Sequence, residues 1–180
     1  MNEVSFALFD TAIGACGIAW GPGGVLGLWL PGPGAGATRR RLLGRLPGAG
    51  EAEPPPGIRS AIEGCRALLR GEAADLSDVR IDEAGVPEFH RRVYAVARTI
   101  SPGRTLTYGE IARRLGDPLE ARAVGHALGQ NPFPLVVPCH RVLAANGKTG
   151  GFSAPGGAAT KLRLLEIEGA RAPAIPTLFS

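Results

Sequence analysis

The chain has 180 residues, 44% of them apolar and 20% charged, with a formal net charge of +4. That length allows one large or two small domains with a real core, and no apolar run approaches the roughly 18 residues that would span a bilayer. Three widely separated cysteines (Cys16, Cys65, Cys139) and three scattered histidines (His90, His126, His140) lack the close pairing of ligand sites, so neither a disulfide framework nor a metal site is expected.

Val4–Phe9, Gly17–Trp20 and Val25–Leu30 read as three short strands separated by turn-forming stretches, a meander expected to be antiparallel. The opening Met1-Asn2-Glu3 carries no basic leader, which predicts a cytoplasmic protein. Residues 31–57 are rich in Gly, Pro and Ala, with a helical patch at Thr38–Leu46 and an expected flexible connection over Glu51–Pro56. Within Ile58–Arg70, Ile62, Cys65, Leu68 and Leu69 recur at helical spacing. Cys16 and Cys65 both sit in apolar patterns and are expected to pack. A boundary near residues 80–86 divides the chain into a strand-rich support domain, 1–85, and a second domain, 86–180. The first holds eight basic against ten acidic residues and the second twelve against six. The second half is therefore the one suited to a polyanion.

In that half, Phe89, Val93, Val96, Ala97 and Ile100 give a helical period that Ser101-Pro102-Gly103 ends. Thr107 and Glu110 form a capping box for a short helix whose inner face is Ile111, Ala112 and Leu115. Gly116 suits its left-handed terminus. Asp117-Pro118-Leu119-Glu120 then restarts a helix, with Leu119, Ala123, Val124, Ala127 and Leu128 expected on its inner face. The pair reads as a helix-turn-helix. Its outward face carries Ala121, Arg122, Gly125, His126 and Gly129. One Arg among small residues suits close approach to a minor groove with a single wedged side chain. Tight helix–helix packing explains the same small residues equally well. His126 and His90 read as solvated.

Leu135-Val136-Val137 reads as a strand that Pro138 terminates, presenting Cys139 at an edge. A thiol attacks as thiolate, and His140 and Arg141 supply a proton acceptor and a positive field beside it. Taken alone, such a pair is more often a buried cysteine next to surface charges.

Five blocks in order decide the matter: Tyr108-Gly109-Glu110-Ile111-Ala112, Ala121-Arg122-Ala123-Val124-Gly125, Asn131-Pro132, Val137-Pro138-Cys139-His140-Arg141-Val142 and Leu164-Leu165-Glu166-Ile167-Glu168-Gly169. Together they resemble the O6-alkylguanine-DNA alkyltransferases, over about residues 86–170. The resemblance implies an α+β fold: a small antiparallel sheet with helices, ribonuclease-H-like, then a mainly helical, winged helix-turn-helix-like half. It implies irreversible transfer of an alkyl group from O6 of guanine, less so from O4 of thymine, to Cys139, one event per molecule and without cofactor or metal. His140 would take the thiol proton through a water and Glu168 would orient it. Tyr108 would protonate the flipped base, and Asn131 would hold the turn before the thiol. Arg122 would fill the vacancy in the duplex, with Thr107, Ala121, Ala123, Gly125 and Arg141 also facing DNA. Pro138, Val142, Phe152 and Ser153 would line the pocket. The implied partner is duplex DNA carrying O6-alkylguanine, met by a monomer with no membrane involved. The alternative is a non-catalytic alkyltransferase-like protein, in which the nucleophile is replaced; Cys139 argues against it. Residues 150–157 run about two residues longer than the pattern resembled, and Phe152 stands where Tyr is common.

Overall fold

Ser5–Thr11 (β1), Gly14–Gly21 (β2) and Gly24–Trp29 (β3) form the antiparallel meander that the turn-separated runs predict. The computed structural model describes residues 3–145 and 148–170. β3 begins at a glycine because Gly24 takes a φ of 123° and a Cβ there would strike the Arg80 carbonyl. That closeness lets Val25 and Asp82 stitch residues 80–82 to the strand through two 2.8 Å bonds.

The segment expected as a flexible connection is partly ordered. Gly50–Glu51 (β4) pairs in parallel with β1, giving the mixed order β3-β2-β1-β4. Free backbone groups at the β1 edge explain it: Gly50 donates to Val4 and Ala52 to Phe6, each at 3.0 Å. Ala37–Arg45 (α1) and Pro56–Leu69 (α2) follow the helical patterns, and α2 buries Ile58, Ile62, Cys65, Leu68 and Leu69. Cys16 and Cys65 are both packed in the core.

The second half contributes Glu88–Ala97 (α3), Tyr108–Arg114 (α4), Ala121–Gly129 (α5) and Ala158–Ile167 (α6). A single apolar cluster joins the halves, running from Phe9, Ile18 and Val25 through Ile62 and Leu69 to Val93, Ile111, Val124 and Val137. The capping box forms on both sides: Thr107 Oγ1 accepts from Glu110 N at 3.1 Å and Glu110 Oε2 from Thr107 N at 2.7 Å. Gly116 takes φ 96° at the end of α4.

Two expectations fail here for backbone reasons. Pro118–Glu120 is a 3₁₀ turn rather than the first turn of α5, so Leu119 leaves the helix phase and is 91% exposed instead of lining the inner face. Leu135–Val137 is not a strand. Leu135 adopts φ 73° and Val137 N donates to Phe133 O at 2.8 Å, which makes this apolar run a buried turn. A short parallel pair, Leu106–Thr107 (β5) with Val142–Leu143 (β6), holds the start of α4 beside the thiol segment. No described helix is long and apolar enough to cross a membrane.

Candidate active site and nucleic-acid interface

The chain leaving α5 is folded by one side chain. Asn131 Oδ1 accepts from Phe133 N and Asn131 Nδ2 donates to Val137 O, both at 2.9 Å, closing the turn that delivers Cys139. Leu28 N donates to Pro132 O at 2.9 Å, fastening this turn to β3. Cys139 starts a 3₁₀ turn, Cys139–Arg141, and is 6% exposed. It is buried, not displayed at a strand edge, because the turn tucks it under the core. It nevertheless lines a cavity of about 730 Å³, together with Tyr94, Asn131, Phe133, Phe152 and Ser153, walled on the far side by Leu28, Trp29 and Arg41 of the first half. Burial pushes the thiol upward in pKa, while a hydrogen bond from Asn131 and the positive charge of Lys161 act the other way.

His140 Nε2 lies 2.8 Å from Glu168 Oε1, at the end of α6. Glu168 also takes a two-pronged grip from Arg141, Nε to Oε2 at 2.9 Å and Nη2 to Oε1 at 2.7 Å. Arg141 Nη1 donates to Ile100 O at 2.6 Å. Arg141 was expected on the DNA side; it is buried and its guanidinium is engaged, so it braces the acid instead. Burial works against the Glu168 carboxylate, but the bonds from His140 and Arg141 outweigh it and hold the group at about 2. For His140, burial dominates over the pull of Glu168 and favours the neutral imidazole. A neutral base backed by a fixed carboxylate can accept a proton and keep the resulting charge.

Tyr108 opens α4 and is half-buried, with its ring against Gly125 of α5 and Gly150, where a Cβ would land on the hydroxyl. Burial, and then the neighbouring Cys139, push its phenol upward. Beside it stands a group the sequence reading missed: Lys161 on α6 has no exposed surface. Its Nζ donates to Val142 O at 2.6 Å and reaches Tyr108 Oη at 3.4 Å. The signal was available, since Lys161 shares a helical face with the buried Leu164 and Leu165. The expected pocket residues divide. Phe152 and Ser153 line the same cavity as Cys139, Pro138 faces a separate cavity with Arg141 and Arg98, and Val142 is buried with its carbonyl turned to Lys161.

On the outward face of α5, Arg122 is exposed and its side chain has no hydrogen-bond partner among the described residues, whereas Ala121, Ala123 and Gly125 are half-buried. Thr107 is occupied by its cap. His126 is exposed and half-buried His90 stands edge-on to it, with ring centroids 6.0 Å apart.

The chain matches the family model described as 6-O-methylguanine DNA methyltransferase, DNA binding domain, over residues 88–170. It is 43% identical over 155 residues to the methylated-DNA–protein-cysteine methyltransferase of Mycobacterium tuberculosis, covering 84% of this chain and 92% of that one. A Thermus thermophilus DNA base-flipping protein is 41% identical over 151 residues, 84% of this chain and 99% of that one. Among solved structures, Mycobacterium tuberculosis OGT in complex with DNA superposes with a TM-score of 0.71 at 36% identity, covering 98% of this chain and 99% of that one.

Proposed function

The chain belongs to the methylated-DNA–protein-cysteine methyltransferase family and is a direct-reversal DNA repair enzyme; we propose that Cys139 is its alkyl acceptor, taking the group from O6 of guanine, and less readily from O4 of thymine, in duplex DNA. One observation carries this reading: Cys139 lines a cavity that can receive a base, and the next residue is an imidazole backed by an ionised carboxylate.

The sulfur forms its bond to the alkyl carbon as the carbon–O6 bond breaks, and the base keeps the bonding pair. His140 removes the thiol proton through a bridging water, and Glu168 stabilises the imidazolium. Tyr108 gives its proton to the departing base. Asn131 holds the thiol's turn, and Phe152 and Ser153 border the alkyl group. Because the target atom lies within the base stack, the nucleotide must be extruded at a cost of a few kcal/mol, and Arg122 fills the vacancy. Half-buried Ala121, Ala123 and Gly125 let the helix approach the groove. The thioether is not reversed, so each molecule acts once, as a monomer in the cytoplasm. Residues 86–180 carry this chemistry and 1–85 support it; 171–180 lie outside the described residues.

Incubation with duplex containing radiolabelled O6-methylguanine should label one equivalent of protein, and Cys139→Ser should bind the duplex without receiving label. Label on the Ser variant, or turnover beyond one equivalent, would refute the assignment. Lesion-selective binding by the unmodified chain with no label would instead establish lesion binding without transfer, the reading that the thiol at position 139 argues against. Binding should weaken steeply with salt and show little sequence preference.

A further inference from the structure

Two histidines meet between α3 and α5. His126 is exposed on the outward face of α5, one turn after Arg122, and half-buried His90 of α3 stands edge-on to it, with ring planes at 75°. Among the described residues, His140 is the one histidine whose ring has a hydrogen-bond or ion-pair partner, so the nitrogens of His90 and His126 have none. The two rings do not make a metal site, since no group of three His, Cys, Asp or Glu side chains able to hold an ion occurs among the described residues. Nor do they suit two charges: burial, and then His126 itself, lower the pKa of His90. A single positive charge on His126 is favoured by its place in the last turn of α5, where the helix carbonyls collect. Tyr94 on α3 lies 6.1 Å from the His90 ring, and Tyr108 of α4 leans on Gly125 beside His126. Asp82, Arg41, Arg45 and Cys139 share the cavity that His90 lines.

We propose that His126 and His90 form a proton-dependent seat for one backbone phosphate of the duplex: His126 takes up a proton as the phosphate arrives and donates to it, while His90 stays neutral and adds its single N–H. This rests on the reading of the outward face of α5 as the duplex-binding surface, and not on the transfer step at Cys139. A phosphodiester carries one negative charge and several acceptor oxygens, which matches one imidazolium beside one neutral imidazole. Phosphate contacts carry no sequence information but fix the register of a protein on its duplex. A seat one turn past Arg122 would hold α5 in place while that side chain stays free to reach inward. Because the phosphate favours the imidazolium, binding consumes a proton, and affinity must rise as pH falls through the histidine range. The phosphodiesters themselves keep their charge throughout that range.

Binding of the full chain to undamaged, fluorescently labelled duplex, with a chelator present, tests this without any transfer chemistry. Lowering the pH from about 8 to about 6 should tighten binding about three- to tenfold. Over the same interval the slope of log affinity against log salt should steepen by up to about 0.9, the signature of one further phosphate contact. His126→Gln should lose both changes yet stay within about twofold of wild type at pH 8, where the amide replaces a neutral donor. His126→Lys, charged at both pH values, should bind at pH 8 about as tightly as wild type does at pH 6. His90→Gln should keep a reduced response. A pH response that survives intact in His126→Gln or in His90→Gln overturns the paired seat. So does a wild type whose salt-dependent binding ignores pH, and that result leaves α5 standing as the duplex-binding surface. Absence of salt-dependent duplex binding at every pH discards that surface and the seat with it. Nuclear magnetic resonance of the histidine rings needs no variant: adding duplex should raise the titration midpoint of His126 by about half a pH unit or more. An unmoved His126 midpoint rules the seat out.

Discussion

Behind the thiol and in front of it, the second half of the chain handles charge in opposite ways. Behind it, His140, Arg141 and Glu168 are sealed from water and locked to one another. In front, Arg122 stands exposed on α5 among small residues, with no partner among the described ones. Buried charges cost several kcal/mol of desolvation each, offset only by close geometry, so the rear cluster is rigid and its members are interdependent. An exposed arginine costs almost nothing to keep and stays free to swing. Chemistry at a fixed sulfur needs the first arrangement, and reaching into a flexible duplex needs the second. Variants of the two regions should therefore fail in different ways.

The largest effect is expected from Glu168→Gln. Removing the carboxylate leaves the Arg141 cation buried with only the Ile100 carbonyl and a neutral amide, which should cost about 3–5 kcal/mol of stability. Transfer should drop on duplex and on free O6-alkylguanine base alike, since the fault lies behind the sulfur. A urea midpoint unchanged from wild type would show that the cluster is not the rigid wall described. Acid probes the same wall. Glu168 titrates at about 2 in the folded protein, below an ordinary carboxylate, so the unfolded chain binds that proton first. Its contribution is complete above about pH 4.5 and disappears as pH falls toward 2. The His140 imidazole also lies below its ordinary 6.5, so stability should begin to decline once pH drops under that value. Urea midpoints measured against pH should show both declines, and Glu168→Gln should erase the lower one.

Arg122→Ala is the matching probe in front. It should leave the urea midpoint within about 0.5 kcal/mol of wild type, as an exposed change does. If Arg122 is the plug proposed above, duplex repair should slow about tenfold or more while transfer from free base is unaffected. Equal slowing on both substrates would remove the wedge and merge the two regions into one.

How much of this was legible in the residues depends on the range over which each contact acts. Thr107 and Glu110 announced their cap, and the meander its strands, because those bonds join neighbours a few residues apart. Cys139, His140, Tyr108, Arg122, Asn131 and Glu168 were named through spacing within a resembled pattern, and the fold does bring Cys139, His140, Glu168, Tyr108 and Asn131 around one turn. Leu135–Val137 misled because an apolar run of three says buried without saying strand; its turn is dictated by Asn131, up to six residues away. Arg141 misled because its acid lies 27 residues on. Lys161 was overlooked because a lysine at a core phase of a helix has no local reason to be there. Its partners, Tyr108 and Val142, come from two other segments.

The smallest effect sits where the two regions meet. Tyr108 is the first residue of α4, directly after the cap that Thr107 provides, and its ring leans on Gly125 of α5. Thr107→Ala removes the acceptor for Glu110 N and should cost about 1 kcal/mol. Glu110 can still reach back to the residue 107 amide, which limits the fraying to the first turn. That turn carries Tyr108, so transfer should fall severalfold on duplex and on free base together, the signature of the rear wall rather than of Arg122. Stability losses of Thr107→Ala and Arg122→Ala should add within about 0.5 kcal/mol, since the side chains share no partner. A loss confined to duplex would instead place Thr107 on the DNA side, acting through its exposed hydroxyl and not through the helix it caps.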